Sequence, residues 1–263
     1  MAQDEADWRS SAVKIAGSDV HLRRSGEGRP LLVLHRDIGT PDRLPFYDAL
    51  ARHFDVIVPD HPGFGRSERP SWMRSVRDIA VMYRSMLCEL RLDRPAVLGL
   101  GFGGWIAAEM ATFDPGSTAP LALIGAMGLK PPQGEILDQA LISYIDYVKM
   151  GFFKQQTFQL VFGEKPSSDQ LVDWDLCRGM CFRIAWRPYM YSDTLPFLLD
   201  GVHARALIAW GENDEVVPQS AGALYAEKLR SSRFERLANA GHLIEMEQPG
   251  RLVDLVVPFI NQH

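Results

Sequence analysis

The sequence has few cysteines and no long apolar run. Its 263 residues include only 3 cysteines, which are too scattered for a disulfide framework. No uninterrupted apolar stretch reaches the roughly 20 residues that a transmembrane helix needs. The first ten residues are acidic and polar, unlike the basic and then apolar start of a signal peptide. These absences predict a soluble, cytoplasmic protein that does not act at a membrane.

An excess of basic residues is also missing. The chain has 28 Lys and Arg residues against 33 Asp and Glu residues, for a net charge of −5. This balance, together with the lack of a long Lys/Arg run, excludes the basic surface that is typical of nucleic-acid binding. Hydrophobic residues make up 46% of the chain, so a large core is available. The length fits one domain, or one domain with an inserted subdomain.

Short apolar runs alternate with segments of helical spacing. The runs that predict strands lie at 30–35, 54–59, 96–99, 120–126, 205–210 and 234–237, and a hairpin is predicted at 12–16 and 19–24. The segments with helical spacing lie at 45–53, at 75–92, directly after the glycine cluster at 99–104, and at 247–261. This alternation indicates an α/β fold with a mostly parallel sheet and crossover helices.

One stretch interrupts the alternation. Between about residues 130 and 199 the chain has helical spacing, many aromatic residues and no clear strand. We interpret this stretch as a helical insertion that packs over one end of the sheet. Most of its aromatic residues should form its own core, while a minority should line a pocket.

Five motifs follow one another along the chain. They are HRDIG at 35–39, PDHPGFGRSERP at 59–70, GLGFGG at 99–104, GENDEVVP at 211–218 and GHLIEMEQP at 241–249. In order, spacing and strand context they resemble the α/β-hydrolase family, and in particular its lid-bearing group of meta-cleavage-product C–C hydrolases, esterases, haloalkane dehalogenases and epoxide hydrolases. The resemblance implies an α/β-hydrolase core at 1–129 and 200–263, with a helical cap at 130–199.

The nucleophile of this family lies in a sharp strand-to-helix turn, G-x-nucleophile-x-G. The matching residues run from Gly99 to Gly103, so Gly101 stands at the nucleophile position. Glycine has no side chain that can attack a substrate, which excludes a covalent intermediate at this position. Two interpretations remain open at this point. Gly101 is either a relaxed form of the turn, or it leaves a hole with room for a water molecule or a substrate atom.

The acid and base positions of the family are both filled. Asp214 follows a predicted strand in the motif G-x-x-D, and His242 follows Gly241. A carboxylate beside one imidazole nitrogen fixes the tautomer and increases the basicity of the other nitrogen. We therefore expect Asp214 and His242 to be hydrogen-bonded. The simpler alternatives are a turn residue for Asp214 and a structural histidine for His242.

The oxyanion side departs from the family, in which His-Gly usually follows this strand. Here His35 is followed by Arg36, and the backbone N–H groups of Phe102 and of Asp37 or Ile38 remain candidate donors. Asp37 either holds a water or a substrate hydroxyl, or is a solvent-facing turn residue. The resemblance implies a supporting role for His35 in the turn. Trp105, the fourth residue after Gly101, either reaches the pocket floor or belongs to the core.

Three interpretations of function follow. The first is an enzyme in which the His242–Asp214 dyad acts as a general base on water or on a medium-sized apolar or aromatic carbonyl substrate, by hydrolysis or C–C cleavage. Lyase, isomerase and cofactor-free oxygenase chemistry also fit. The second is an inactive ligand-binding protein on the hydrolase scaffold. The third is an ordinary hydrolase whose serine or aspartate has been replaced by Gly101.

Few partners are implied. The only partner that the motifs indicate is a small-molecule substrate. No metal-ligand spacing is present, and no cofactor is expected. Homodimers are common in the family, so a homodimer is an expectation by analogy alone.

Overall fold

The computed structural model describes residues 6–117 and 119–262, and its centre is a sheet of eight strands. The strands are β1 (Arg9–Ile15), β2 (Ser18–Ser25), β3 (Pro30–Leu34), β4 (Asp55–Pro59), β5 (Ala96–Leu100), β6 (Leu121–Ile124), β7 (Ala206–Gly211) and β8 (Ser232–Leu237). Their order across the sheet is β1-β2-β4-β3-β5-β6-β7-β8. The β1–β2 and β2–β4 pairs are antiparallel, and every pair from β4–β3 to β7–β8 is parallel.

The burial of the strands explains why the sequence predicts them. β4, β6 and β7 are buried at every residue, because helices cover both faces of the sheet there. Continuous apolar runs follow from that double burial. The edge strands β1 and β8 are largely exposed or half-buried, and their sequences are accordingly polar. The predicted α/β fold with a mostly parallel sheet is confirmed.

Six helices belong to the sheet-bearing part of the fold. They are α1 (Pro45–Ala51), α2 (Val76–Glu89), α3 (Phe102–Ala111), α8 (Gln219–Lys228), α9 (Ile244–Glu247) and α10 (Pro249–Asn261). The start of α2 is fixed by a capping box. The Ser75 hydroxyl accepts a hydrogen bond from the Asp78 N–H, and the Asp78 carboxylate accepts one from the Ser75 N–H.

A helical insertion separates β6 from β7. It contains α4 (Tyr144–Met150), α5 (Gln155–Phe162), α6 (Ser168–Ile184) and α7 (Leu195–Leu199). All four helices fall within the predicted span 130–199, although those boundaries themselves stay a prediction. Among the described residues, no helix combines the length and apolar character needed to cross a lipid bilayer.

The parallel strands bring five loops to one edge of the sheet. The loops after β3, β5, β6, β7 and β8 all leave the carboxyl ends of their strands, so they meet at the same edge. These loops carry, in the same order, Arg36, Gly101, Gly125, Asp214 and His242. Residues that are more than 200 positions apart in the sequence therefore converge on one site.

Candidate active site

The turn between β5 and α3 has the backbone of a nucleophile elbow. Gly101 has φ +51° and ψ −111°, a combination that L-residues with a side chain adopt only under strain. The helix that follows lies very close to β3, because a Cβ on Gly103 would lie 2.2 Å from the Leu34 carbonyl oxygen. The backbone thus keeps the sharp turn of the family although the residue at its tip is glycine.

The space in front of Gly101 is filled by Arg36. A Cβ on Gly101 would lie 2.8 Å from Arg36 Nη1, 3.3 Å from Arg36 Cγ and 3.2 Å from His242 Nε2. The expected hole with room for a water molecule or a substrate atom is therefore wrong. The Arg36 side chain is long enough to reach across from the β3 loop and occupy it.

Arg36 is held there by a buried ion pair. Its Nε and Nη2 groups donate to the two carboxylate oxygens of Glu245, each at 2.7 Å, and both side chains are 1% exposed. Burial alone would lower the pKa of Arg36, but the carboxylates of Glu245, Asp214 and Asp37 together outweigh it and the pKa is raised. Arg36 therefore remains a cation, and the two-pronged geometry fixes the plane of its guanidinium.

Asp214 and His242 are hydrogen-bonded to each other. His242 Nδ1 lies 2.8 Å from Asp214 Oδ2. The other oxygen of Asp214 accepts the N–H groups of Val216 and Val217, at 2.9 and 2.8 Å. Since an ionised carboxylate only accepts, Nδ1 carries the proton, and Nε2 is the nitrogen that has a lone pair whenever the imidazole is neutral. An imidazole held in this way can accept a proton at Nε2.

The Nε2 atom of His242 points to the tip of the elbow. The imidazole lies between Gly101 and Gly125, since a Cβ on Gly125 would be 3.3 Å from His242 Nδ1. Within the described part of the chain, neither His242 Nε2 nor Arg36 Nη1 has a hydrogen-bond partner, and both atoms are buried. A hydrogen-bond donor, Arg36 Nη1, and a potential acceptor, His242 Nε2, thus lie close together, and neither has a partner among the described residues.

Asp37 connects the β3 loop to the insertion. Its Oδ2 accepts hydrogen bonds from Gln139 Nε2 and Tyr147 Oη, each at 2.7 Å. Burial, reinforced by the charge of Asp37, raises the pKa of Tyr147 well above its usual value, so this hydroxyl stays a donor. The alternative that Asp37 is a solvent-facing turn residue is wrong, because its carboxylate is buried against the insertion.

The His35 side chain links the loop after β3 to the loop after β4 through hydrogen bonds to both backbones. Its Nδ1 donates to the Arg36 carbonyl oxygen at 2.7 Å, and its Nε2 accepts the His61 N–H at 2.9 Å. His61 in turn contacts Tyr83 Oη through Nδ1 and the His35 carbonyl through Nε2. Burial lowers the pKa of His35 to about 4, and burial followed by the proximity of His35 lowers that of His61 well below its usual value. Both rings are neutral parts of the framework.

The remaining candidates lie around the site without pointing to the dyad. Phe102 is the first residue of α3, so its N–H has no acceptor within the helix. Trp105 packs against Phe102 and donates to Glu109 at 3.3 Å, which places it in the core rather than at a pocket floor. Ile38 lines a cavity of about 420 Å³ that also borders His35, Trp174 and Cys177, but not Gly101 or His242.

The loop that carries His242 is fastened to the insertion. Leu243 N–H donates to the Gly151 carbonyl at 2.9 Å. Glu247 accepts the Gly241 N–H at 2.6 Å and the Lys154 N–H at 3.1 Å. Burial raises the pKa of Glu247, although these N–H groups offset part of that effect. The loop of His242 is therefore held both by the sheet edge and by the insertion.

Metal ligands are not grouped anywhere in residues 6–117 and 119–262: no cluster of three His, Cys, Asp or Glu side chains could hold an ion. Cys177 and Cys181, one turn apart on α6, are buried free thiols. Burial raises the pKa of both, which keeps them in the unreactive thiol form.

A comparison with known families identifies the fold. The profile of the alpha/beta hydrolase family matches residues 31–255, which is most of the chain. The chain belongs to the α/β-hydrolase family.

Similar α/β-hydrolases are known by sequence and by structure. The chain is 24% identical to a 2-hydroxymuconate semialdehyde hydrolase of Pseudomonas sp. (strain CF600), covering 93% of this chain and 91% of that protein. It is also 24% identical to a 2-hydroxy-6-oxononadienedioate/2-hydroxy-6-oxononatrienedioate hydrolase of Paraburkholderia phymatum, covering 92% and 91%. A meta-cleavage product hydrolase from Pseudomonas fluorescens IP01 has the same fold, with a TM-score of 0.76 at 21% identity over 95% and 97% of the two chains.

Sequence reasoning missed two residues of this α/β-hydrolase site. Arg36 drew attention only as a departure from His-Gly, and Glu245 was not considered, although the two side chains form a two-pronged ion pair at the site. One signal was available. A nucleophile position without a side chain and a long side chain after His35 are two departures in one site, and the second fills the space that the first leaves.

Proposed function

We propose that this α/β-hydrolase-fold chain hydrolyses a carbonyl compound without a covalent intermediate. His242, oriented by Asp214, acts as the general base on a water molecule. The observation that carries this proposal is the 2.8 Å contact between His242 Nδ1 and Asp214 Oδ2, which commits Nδ1 to the carboxylate and directs Nε2 to Gly101. A base with one nitrogen committed to a carboxylate and the other free is suited to proton abstraction.

The reaction proceeds in two steps. Nε2 takes a proton from water while the water oxygen bonds to the carbonyl carbon, and the π electrons move onto the carbonyl oxygen. When the tetrahedral intermediate collapses, the C=O bond forms again and the bond to the leaving alkoxide or carbanion breaks. The leaving group takes the proton from His242. One water is consumed. The products are a carboxylic acid and either an alcohol or, after C–C cleavage, the protonated carbon fragment with its new C–H bond.

The substrate class follows from the insertion and from the relatives. The insertion provides a cluster of packed aromatic side chains, among them Phe152, Phe158, Phe162 and Trp174. Two relatives with 24% identity are named as hydrolases of 2-hydroxymuconate semialdehyde and of 2-hydroxy-6-oxononadienedioate, and a structural neighbour is named a meta-cleavage product hydrolase. Both point to a medium-sized apolar or aromatic molecule with a reactive carbonyl. Because His242 is 2% exposed, the insertion must open for such a molecule to enter.

A second candidate is a binding protein that has lost catalysis. The observation in its favour is the Arg36 side chain, which occupies the place of the nucleophile and is 1% exposed. Such a protein would bind a ligand and release it unchanged.

An introduced glycine is the less suitable account. A serine at position 101 would place its Cβ 2.8 Å from a guanidinium that Glu245 holds in place. Gly101 and Arg36 fit each other, as expected for residues of one natural site.

The test is turnover with two compounds, 2-hydroxymuconate semialdehyde and p-nitrophenyl acetate. We expect product from one of them by mass spectrometry, a loss of at least 100-fold in His242→Ala and Asp214→Asn, and no gain in Gly101→Ser. Intact-protein mass after an acid quench should show no adduct. A covalent adduct, or full activity in His242→Ala, would refute the proposal. Tight binding without product would favour the second candidate.

A further inference from the structure

Two buried polar atoms in front of Gly101 have no partner within the described residues. They are Arg36 Nη1 and His242 Nε2, and their side chains are almost fully buried. Buried polar atoms are normally hydrogen-bonded, because an unmet group loses its hydration without compensation. Both atoms lie against the same point, the position of a Cβ on Gly101. Because the guanidinium itself fills the space in front of Gly101, a ligand that bonds to both atoms must enter beside them when the insertion opens.

The two atoms have complementary roles. Nη1 belongs to a guanidinium and can only donate. Nε2 is an acceptor, because Nδ1 already donates to Asp214. A carbonyl oxygen suits the first atom, and a water molecule that attacks the same carbonyl suits the second. The guanidinium cannot move freely, since its other two N–H groups are bound to Glu245 at 2.7 Å.

Building on the proposed function, we propose that Arg36 is a catalytic residue whose Nη1 binds the reacting carbonyl oxygen of the substrate. As water adds to the carbon, the negative charge that develops on this oxygen is stabilised by the fixed guanidinium. The proton that leaves the water is on His242 at that moment, and it returns to the leaving group. Arg36 remains a cation throughout, so no proton is lost or gained by it.

The surrounding charge determines the class of substrate. Around the one guanidinium stand three carboxylates, those of Glu245, Asp214 and Asp37, all close enough to act on the charge of Arg36. An added carboxylate at Nη1 would bring a fourth negative charge into a buried site. A neutral carbonyl brings none, and the oxyanion formed from it is balanced by the protonated His242. The reacting group is therefore an uncharged ketone or ester carbonyl and not a carboxylate.

The size of residue 101 is part of the same arrangement. Any side chain there would begin 2.8 Å from Nη1 and press on the guanidinium, so only glycine leaves Nη1 in its present position. Gly101 and Arg36 therefore depend on each other, because the missing side chain of the glycine leaves the space that the arginine occupies. This explains why both departures from the family occur in one protein.

The test uses 2,2,2-trifluoroacetophenone and, as its charged counterpart, benzoate. The hydrate of this ketone is the adduct of water with a neutral carbonyl group. Binding is followed by ¹⁹F NMR for the ketone and by calorimetry for both compounds. Arg36→Met leaves Glu245 unpaired and is prone to misfold, so the main variant is R36M/E245M, which keeps the charge balance. Arg36→Lys retains the charge but loses the fork that Glu245 binds.

We expect the wild-type protein to bind the ketone hydrate at least tenfold more tightly than benzoate. R36M/E245M, with a circular dichroism spectrum like that of the wild type, should lose at least tenfold in affinity for the hydrate. Equal hydrate affinity in the folded double variant overturns the role of Arg36. Benzoate binding as tight as the ketone, or no ketone binding by the wild type, overturns the substrate class.

Failure of the proposed function gives a different result. If His242→Gln retains turnover, the general base is wrong, whereas the affinity of R36M/E245M for the hydrate still decides the role of Arg36. If His242→Gln abolishes turnover and R36M/E245M binds the hydrate like the wild type, the role of His242 as general base is supported and the role of Arg36 is refuted.

Discussion

The guanidinium of Arg36 lies where a side chain on Gly101 would begin: a Cβ on that glycine would be 2.8 Å from Nη1. The arginine comes from the loop after β3 and the glycine from the turn after β5. Their contact places a guanidinium that Glu245 holds in position directly in front of the turn between β5 and α3.

Breaking the Arg36–Glu245 pair from one side should destabilise the protein strongly. Glu245→Met leaves a buried guanidinium without its carboxylate, at an expected cost of about 3–5 kcal/mol. R36M/E245M removes both charges and should recover most of this loss. Urea unfolding of the two single variants and the double variant measures the coupling. Additive effects in the double variant would show that the pair is not coupled in solution.

A side chain at position 101 should be costly even when it is small. Gly101→Ala adds only a methyl group, but it forces an L-residue into φ +51° and ψ −111° and presses on Arg36. We expect a loss of roughly 1–3 kcal/mol in unfolding free energy. Gly116→Ala is the control, since a Cβ there meets nothing within 4 Å. A Gly101→Ala variant as stable as this control would contradict the contact.

Stability should fall when the pH is lowered below neutrality. The pKa of His35 is about 4 in the folded chain against 6.5 in the unfolded chain, and that of His61 is lowered as well. The unfolded state therefore binds more protons between these values, and each histidine should cost about 1 kcal/mol at pH 5.5. Urea unfolding at pH 7.5 and 5.5 tests this.

His53 provides the control for the pH series, because it is an exposed histidine. His53→Gln should leave the fall in stability unchanged, whereas His61→Gln should reduce it. Equal stability of the wild type at the two pH values would mean that the two buried rings are not held neutral.

Two stacked tyrosines of the insertion should respond differently to loss of their hydroxyls. Tyr144 and Tyr147 pack with ring centroids 5.5 Å apart, and both are buried. Tyr147 donates to Asp37, whereas the Tyr144 hydroxyl has no partner within the described residues. Tyr147→Phe should cost roughly 1.5–3 kcal/mol, and Tyr144→Phe should be neutral or stabilising. Thermal unfolding compares the two, and equal losses would contradict the assignment of the Asp37 contact.

The sheet could be predicted because its central strands are buried and are therefore composed almost entirely of apolar residues. Runs such as residues 30–35 and 205–210 are continuous and apolar, since helices cover both faces of β3 and β7. The hairpin of β1 and β2 was signalled by Gly17, which forms the turn with Ala16, whereas Ser18 already pairs with Ile15 as the first residue of β2. The insertion was recognisable because its helical spacing follows a series of strands.

The site was only partly predictable. Asp214 and His242 stand at motif positions, so their proximity was expected from the sequence. The contact of Arg36 with Glu245 joins residues 209 positions apart, and no local pattern announces it. The burial of Asp37 was equally hidden, because its partners Gln139 and Tyr147 belong to the insertion, whose docking the sequence does not specify.

The fastening of the His242 loop to the insertion has a kinetic consequence. Glu247 bonds the backbone of Gly241 and of Lys154, and Leu243 donates to Gly151. An opening that frees this end of the insertion must break these bonds or carry the loop with it. Admission of a substrate would then disturb the alignment of the imidazole with Asp214, and reclosure would restore it. The protein would be unable to abstract a proton while its site stands open to bulk water, so its chemistry would be confined to the sealed state.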